Sequence, residues 1–139
     1  MILVIGEALI DLFGEEGSGG NTAVVGGANA NVALALAVRG EQQRFLGRIS
    51  SDGFGKKIRN HLASHGVDLA LSVDAEEQTT LAVATINSSG VASYSFYTKD
   101  TADWGWTPAE LPSAEEVAAL DTKAIQYGCL GMAIGPGNL

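Results

Sequence analysis

Cysteine is almost absent from this sequence. The only one, Cys129, lies in the apolar run IQYGCLGMAI, and a single thiol can build neither an internal disulfide nor a cysteine-based metal site. We therefore expect a reduced, buried thiol. The N-terminal segment MILVIGEALIDLF has no basic region and carries Glu7 and Asp11, so it predicts neither a signal peptide nor a membrane span. A cytoplasmic protein is expected.

Basic residues are also scarce. Eight lysines and arginines stand against sixteen acidic residues, which gives a net charge of −8. Nucleic acids and anionic membranes need a basic surface to neutralise their phosphates, so neither is an expected partner. Proline is limited to 3 residues while glycine reaches 18, a balance that favours tight turns between strands and helices. A length of 139 residues is enough for one domain with its own core.

The first seventy residues alternate between strand and helix patterns. Short apolar runs predict strands at 2–5, 44–49 and 67–73. Residues 54–65 show one buried stripe at helical spacing, and residues 29–39 are apolar all round, which predicts a helix covered on both sides. This alternation is typical of a layered α/β fold.

A hairpin then interrupts the alternation of strands and helices. Residues 80–98, TLAVATINSSGVASYSFYT, are two alternating segments joined by an Asn-Ser-Ser-Gly turn. Such an inserted hairpin commonly serves as a flap, and its alternation indicates that one face covers something. A helix near 113–120 and a buried strand in KAIQYGCLGMAI follow, before the end at GPGNL. A parallel strand needs layers on both faces, so the sequence is expected to be the front half of a larger domain.

The junction GGANAN offers polar groups at the start of an apolar helix. Gly26 and Gly27 leave backbone N–H groups open to a ligand, and the amides of Asn29 and Asn31 can each donate and accept, as a sugar hydroxyl requires. Alternatively, the glycines only make a sharp turn and Asn29 caps the helix. Neither a Walker loop nor the dinucleotide fingerprint is present, so the junction gives little support to phosphate binding.

Asp11 is the second informative residue, because its charge lies among aliphatic neighbours in ALIDLF. A carboxylate can accept hydrogen bonds from two adjacent hydroxyls of a sugar. The alternative is an exposed acid at a strand edge, since successive strand residues face opposite ways.

Two further pairs of residues have plainer interpretations. His61 and His65 have a spacing that could bind a metal, but no third ligand is apparent, so exposed positions on a helix are expected. Trp104 and Trp106 could stack on a sugar ring, although they are expected to pin a loop to the core.

Three motifs in order carry a family resemblance. GEALIDLF, GGANANVALALAVRG and FLGRISSDGFGKKIRNHLASHGVDL are similar to the N-terminal half of the ribokinase-like (PfkB) carbohydrate kinases, whose first signature spans about 26–55 here. SYSFYTKDTADWGWTPAELP further resembles bacterial fructokinase-like members. The resemblance covers essentially all of 1–139. It implies a three-layer, Rossmann-like α/β ribokinase fold with a small β-lid of strands at about 11–25 and 80–98.

The resemblance also implies a site. ATP would be the phosphoryl donor with Mg²⁺, and a furanose or related sugar would be the acceptor. Carried over by position, the residues that would bind the sugar hydroxyls are Asp11, Gly26, Gly27 and Asn31. Phe96 and Thr98 share one face of the second lid strand by the two-residue period and would touch the sugar. Fructokinase-like members often have Gly-Gly-Ala-Pro-Ala-Asn where this chain has Asn29 for the proline.

The catalytic base of this family is an aspartate in a C-terminal Gly-Ala-Gly-Asp stretch, and the sequence contains none. Residues 99–106, KDTADWGW, echo the longer form of that motif but lack its Gly-x-Gly-Asp. We therefore assign no catalytic residue and no ATP or Mg²⁺ site, since the C-terminal ATP-binding part is absent. The expectation is an incomplete N-terminal portion that holds half the sugar site and is inactive alone.

Two alternatives remain. The chain could be a non-catalytic sugar-binding module derived from the kinase fold that forms a homodimer through its lid hairpin. A dinucleotide-binding Rossmann domain is the third hypothesis and has the weakest motif support.

Overall fold

The computed structural model describes residues 1–133 as a mixed α/β structure. The strands are β1 (Ile2–Ile5), β2 (Leu9–Glu15), β3 (Thr22–Gly26), β4 (Gln43–Leu46), β5 (Arg48–Ser50), β6 (Val73–Ala75), β7 (Leu81–Ile86), β8 (Ala92–Tyr97) and β9 (Ala124–Tyr127). The α-helices are α1 (Ala28–Val38), α2 (Gly53–Ser64), α3 (Ala114–Ala119) and α4 (Leu130–Ala133). The end of the predicted domain, GPGNL at 135–139, lies outside the described residues. No helix in the described part of the chain is both long and apolar enough to cross a membrane.

A parallel sheet forms the base of the structure, with the strand order β4-β1-β9. Leu3 and Val4 of the central strand are fully buried, as the apolar run at 2–5 predicts for a strand with layers on both faces. Helix α1 packs against β1 and β4. The apolar core here includes Val4, Ala33 and Phe45.

A second sheet contains the predicted hairpin. Its strand order is β3-β2-β7-β8, in which β2 runs antiparallel to β3 and parallel to β7. Strands β7 and β8 form the hairpin, and the Asn87 side chain accepts hydrogen bonds from the backbone N–H groups of Ser89 and Val91. These side-chain bonds fix the turn. We call this four-stranded sheet the lid sheet.

Two predicted strands are wrong in extent. The run at 44–49 is split at Gly47, where β4 pairs with β1 and β5 pairs with β6 in a separate sheet. A Cβ on Gly47 would lie 2.5 Å from Phe45 Cε1 and 2.9 Å from the Gly6 carbonyl oxygen, so the chain turns at a residue without a side chain. In the run at 67–73 only Val73 is in a strand, because the Asp68 carboxylate accepts from Ala70 N and forms a turn instead.

The strand predicted in KAIQYGCLGMAI is present as β9, but its predicted length and burial are wrong. Strand β9 ends at Tyr127, Gly128 and Cys129 both have positive φ, and α4 begins at Leu130. Ile125, Tyr127 and Cys129 are exposed, so the predicted burial of the thiol is not observed. The physical reason is position, since β9 lies at the edge of its sheet and pairs only with β1 among the described strands.

The two longer helices differ in how well the sequence predicts them. Helix α2 is amphipathic as expected, with Ile58 and Leu62 fully buried, and Asp52 caps it by accepting from Gly55 N at 2.7 Å. Helix α1 buries only one side, and Val38 on its other side is exposed. The prediction that α1 is covered on both sides is therefore wrong, because the described residues, 1–133, cover only one side of it. Helix α3 matches its prediction to within one residue at each end.

Candidate functional site

Asp11 and Gly26 are in contact. Asp11 lies in β2 opposite Val24, and the next opposed pair on the same face of the sheet is Leu9 and Gly26. A Cβ built on Gly26 would overlap Asp11 Oδ2, so the carboxylate occupies the space that a larger residue at this position would need. Glycine at position 26 is therefore what allows this carboxylate to lie against the end of β3.

Asp11 also shares a sheet face with Phe96. Asp11 is opposite Ala82 in β7, and Ala82 is opposite Phe96 in β8. Directly opposed residues project on the same side of a sheet, and two strand spacings separate the outer pair by roughly 10 Å. Ala82 is buried and small, whereas Phe96 is 58% exposed and its ring stacks with that of Tyr94 at a centroid distance of 6.3 Å. We call this side of the lid sheet the Asp11 face.

Gly27 and Asn31 extend the site from the lid sheet to helix α1. Gly27 follows Gly26 and is the N-cap residue of α1, with φ of 104°. The Asn31 N–H donates to the Gly27 carbonyl at 2.9 Å, which places Asn31 in the first turn of the helix, where it is exposed. The structure therefore brings Asp11 and Gly26 into contact. From Gly26 the chain passes through Gly27 into the first turn of α1, which carries Asn31.

Thr98 stands apart from this arrangement. Strand β8 ends at Tyr97, so the sheet does not hold Thr98 on the face that carries Phe96. Its carbonyl instead accepts a hydrogen bond from the Thr101 hydroxyl at 3.0 Å. The part of the prediction that placed Thr98 beside Phe96 on one strand therefore has no support in the sheet register.

The Asp11 carboxylate is open to a ligand. Partial burial raises the pKa of Asp11 above its ordinary value, and within residues 1–133 no hydrogen bond to this carboxylate is formed. An ionised carboxylate has several free acceptor positions, and charge-assisted hydrogen bonds to it are stronger than neutral ones. A ligand with neighbouring hydroxyl groups would therefore satisfy Asp11 well.

A buried acid, Glu7, organises the start of α1, and the sequence analysis did not single it out. Its Oε1 accepts from the Ala28 N–H at 3.1 Å, and its Oε2 accepts from Asn29 Nδ2 at 2.9 Å. The predicted N-cap role of Asn29 is wrong, because Gly27 is the cap residue and the Asn29 side chain points to Glu7 and the Gly128 carbonyl. An acid in the otherwise apolar GEALI was the available signal, by the same reasoning that singled out Asp11.

A second buried acid, Asp103, lies beside the same turn. Its Oδ1 accepts from the Ala8 N–H at 2.9 Å. Burial raises the pKa of Asp103 to about 7, and the nearby charge of Glu7 adds to this, while the nearby Thr80 hydroxyl and the hydrogen bond from the Ala8 N–H oppose it. Trp104, next in the chain, is buried as predicted, and Trp106 is half-buried.

Arg48 holds the loop that carries Asp103. It is buried and donates to Glu77 Oε1 at 3.0 Å, to Glu110 Oε1 at 3.1 Å and to the Ala102 carbonyl at 2.9 Å. Hydrogen bonds to both carboxylates raise the pKa of Arg48 despite the opposing effect of its burial, which is the largest single influence. The guanidinium thus ties the 102–104 turn to strand β5.

We expect the substitution Asp103→Asn to flatten the pH dependence of stability. The folded-state pKa of about 7 lies above the ordinary aspartate pKa of 3.8, so the contribution of Asp103 to stability is complete below about pH 4 and is lost as the pH rises through 7. Asparagine keeps an acceptor for Ala8 N–H without a titrating charge. Between pH 5 and pH 8, urea unfolding should show wild type losing about 2 kcal/mol relative to the variant.

The control for this prediction is Glu16→Gln, which changes an exposed acid of the lid sheet region. Its pH profile should follow that of wild type. A parallel shift of the Asp103→Asn profile at all pH values would contradict the assignment of a titrating Asp103.

The histidine pair carries no metal site in this structure. His61 and His65 lie together on α2 with ring centroids 4.6 Å apart, and His65 Nδ1 contacts the His61 carbonyl at 2.7 Å. Partial burial, with help from the charges of His65 and Lys57, lowers the pKa of His61. Nowhere in residues 1–133 do three histidine, cysteine, aspartate or glutamate side chains form a group that could hold a metal ion.

Known proteins share both the sequence pattern and the fold. A family model described as pfkB family carbohydrate kinase matches residues 1–129. The chain is 36% identical over 112 residues to a fructokinase of Klebsiella pneumoniae, and 31% identical over 143 residues to a probable fructokinase-2 of Arabidopsis thaliana. A crystal structure of a Xylella fastidiosa fructokinase with bound ATP covers 96% of the chain with a TM-score of 0.85 and 30% identity. The predicted family and α/β ribokinase fold are thereby confirmed.

The matched proteins are much longer than this chain. The alignments cover 80% of the chain but 36% of the Klebsiella protein, and 98% of the chain but 43% of the Arabidopsis protein. The Xylella structure is covered over 40% of its own chain. The chain therefore spans well under half the length of these relatives.

Proposed function

Because the chain belongs to the pfkB family of carbohydrate kinases, we propose that it carries the sugar-binding half of an enzyme that phosphorylates a sugar hydroxyl with ATP. The proposed sugar is fructose, since the relatives named above are fructokinases. The chain is proposed to be an incomplete N-terminal portion, inactive on its own. The residues proposed to contact the sugar are Asp11, Gly26, Gly27, Asn31 and Phe96.

The observation that carries this proposal is the open Asp11 carboxylate. It lies against Gly26, on the same sheet face as Phe96 and next to the chain segment that leads to Asn31. A carboxylate accepts hydrogen bonds from two neighbouring hydroxyls, while an aromatic ring packs against the C–H groups of a sugar. An amide at Asn31 adds both a donor and an acceptor. This combination matches the alternating polar and apolar surface of a furanose.

The contribution of these residues to the reaction is binding and orientation. Holding the acceptor sugar in one pose accounts for a large part of catalysis in phosphoryl transfer. The Asp11 face would cover the bound sugar and exclude water from it. ATP supplies the phosphoryl group when bound, with Mg²⁺ proposed as its counterion, but the sequence lacks the Gly-Ala-Gly-Asp stretch. We assign no residue of this chain to either group.

Titration of the purified chain with D-fructose tests the proposal. We expect the backbone NMR signals of Asp11, Gly26, Asn31 and Phe96 to shift, and D-mannitol, an open-chain polyol, to shift them less. Addition of ATP and Mg²⁺ should give no fructose phosphate. Absence of any fructose-dependent shift would contradict the sugar site, and robust turnover would contradict the proposed lack of catalytic residues.

A second candidate function is supported by the exposed apolar side chains of the Asp11 face. Phe13, Val24, Tyr94 and Phe96 are all exposed there, and contiguous apolar patches of this kind mark interaction sites. The alternative is a non-catalytic sugar-binding module that forms a homodimer through this face. Sedimentation velocity should then show one monodisperse dimer that the double substitution of Tyr94→Ser and Phe96→Ser converts to monomer. A monomeric wild type would contradict dimerisation.

The cytoplasmic location, and the exclusion of nucleic acid and membrane partners, stay predictions.

A further inference from the structure

The start of helix α1 has no side-chain cap of its own. Its N-cap residue is Gly27, yet the first backbone N–H groups of any helix need acceptors from outside. Glu7 supplies two of them. Its Oε1 accepts from the Ala28 N–H at 3.1 Å, and its backbone carbonyl accepts from the Ala30 N–H at 3.3 Å. The cap of α1 therefore comes from the turn between β1 and β2.

The second carboxylate oxygen of Glu7 is also used. Oε2 accepts from Asn29 Nδ2 at 2.9 Å, and the same amide donates to the Gly128 carbonyl at 3.0 Å. Glu7 is 2% exposed and Asn29 is 1% exposed. A buried carboxylate is costly unless it is paired, and a negative charge at a helix N-terminus is favourable. One buried pair thus joins three segments: the turn after β1, the start of α1 and the residue after β9.

Close packing leaves this junction little room to shift. A Cβ on Gly27 would lie 2.6 Å from the Glu7 carbonyl oxygen and 3.0 Å from Ala8 Cα. A Cβ on Gly6 would lie 2.8 Å from the Asn29 Cβ. The Gly27 backbone therefore lies directly on the Glu7 backbone, and the Gly6 backbone lies directly on the Asn29 side chain, so neither Glu7 nor Asn29 has room to shift.

We propose that Glu7 and Asn29 are positioning residues that lock the first turn of α1 to strand β2. Asp11 lies on β2 four residues after Glu7, while Asn31 lies in the turn that Glu7 caps. The pair thereby fixes the separation of the two groups without itself contacting the sugar. The consequence for sugar affinity rests on the proposed function, whereas the lock itself does not.

The first experiment tests the lock by amide hydrogen exchange. In wild type, the Ala28 and Ala30 amides and the Asn29 side-chain amide should exchange slowly. In Glu7→Gln the new amide must point a donor at either Ala28 N–H or Asn29 Nδ2, so one of the two bonds is lost. We expect exchange at the Ala28 amide or at the Asn29 side-chain amide, whichever loses its acceptor, to accelerate about tenfold or more, while exchange at Gly55, the capped amide of α2, stays unchanged.

The second experiment measures fructose affinity and its rescue. Glu7→Gln should weaken binding about tenfold, and the double variant Glu7→Gln with Asn29→Asp should recover part of that loss, because the glutamine amide can then donate to the new carboxylate while the Gly128 carbonyl loses its donor. Glu41→Gln, an exposed glutamate beyond the end of α1, is the matched control and should bind as wild type. Circular dichroism and urea unfolding identify any variant that does not fold.

Each outcome has a separate meaning. Rapid exchange of the Asn29 side-chain amide in wild type overturns the lock without any substitution. Faster exchange in Glu7→Gln with unchanged fructose affinity overturns the positioning role. A wild-type chain that binds no fructose, yet shows the protected amides, keeps the lock and contradicts the proposed function instead.

Discussion

Asp11→Ala is expected to weaken fructose binding by about 100-fold or more. A hydrogen bond to a charged group contributes roughly 1.5–3 kcal/mol, and tenfold in affinity corresponds to about 1.4 kcal/mol. Loss of two such bonds from neighbouring sugar hydroxyls therefore removes at least two orders of magnitude. Isothermal titration calorimetry at pH 7.5, with the chain at high concentration, measures the effect directly.

The free energy of unfolding of Asp11→Ala should not fall, although its affinity for fructose does. The pKa of Asp11 is raised by burial, and no partner within residues 1–133 compensates that burial. A group whose folded-state pKa is raised disfavours the folded state once it is ionised, so its removal should leave the free energy of unfolding at pH 7.5 equal or higher. A loss of binding without a loss of stability is typical of a residue whose role is to bind a ligand.

Two companion variants sharpen this test. Asp11→Asn keeps the shape of the side chain but has one acceptor oxygen, so its affinity should lie between those of wild type and Asp11→Ala. Glu16→Gln, an exposed acid that follows β2, should bind as wild type. Fructose affinity of wild type should also fall at acid pH as Asp11 becomes protonated. Asp11→Ala binding within twofold of wild type would remove Asp11 from the site.

Local chemistry in the sequence was enough to predict several parts of the fold. The apolar run at 2–5 forms β1, the stripe on α2 is buried, and the Asn87 turn closes the hairpin. In each case the deciding interactions lie within a few residues of one another, so a short window of sequence contains them.

Long-range packing decided what the sequence did not predict. Helix α1 is apolar yet leaves one side exposed, and three of the four residues of β9 are exposed, because cover depends on elements distant in the chain. The bond from Ala8 N to Asp103 joins residues 95 positions apart. No local pattern identifies such a partner, which is why the role of Asp103 could not be predicted from the sequence.

The site shows the same division. Contact between Asp11 and Gly26 follows from an isolated charge near a glycine pair, features that the sequence displays. The capping of α1 did not follow, since an asparagine near a helix start usually indicates a cap and Asn29 instead bonds to Glu7. The asparagine at position 29 therefore indicated a polar interaction at the start of α1. Its partner, Glu7, could be identified only from the fold.

Gly27→Ala is expected to cost at least about 3 kcal/mol of unfolding free energy. Gly27 has φ of 104°, and a Cβ there would lie 2.6 Å from the Glu7 carbonyl oxygen. The neighbour is backbone rather than a flexible side chain, so either α1 or the Glu7 turn must move. Urea unfolding followed by circular dichroism measures the loss.

Gly40→Ala is the matched control for Gly27→Ala. Gly40 also has a positive φ, 78°, but a Cβ there would meet no atom within 4 Å. This variant bears the backbone strain alone, which costs about 1–2 kcal/mol. The difference between the two variants therefore measures the close approach of α1 to the Glu7 turn. Equal losses would mean that this contact is not maintained in solution, and the path from Asp11 through Gly26 to Asn31 would then lack its fixed geometry.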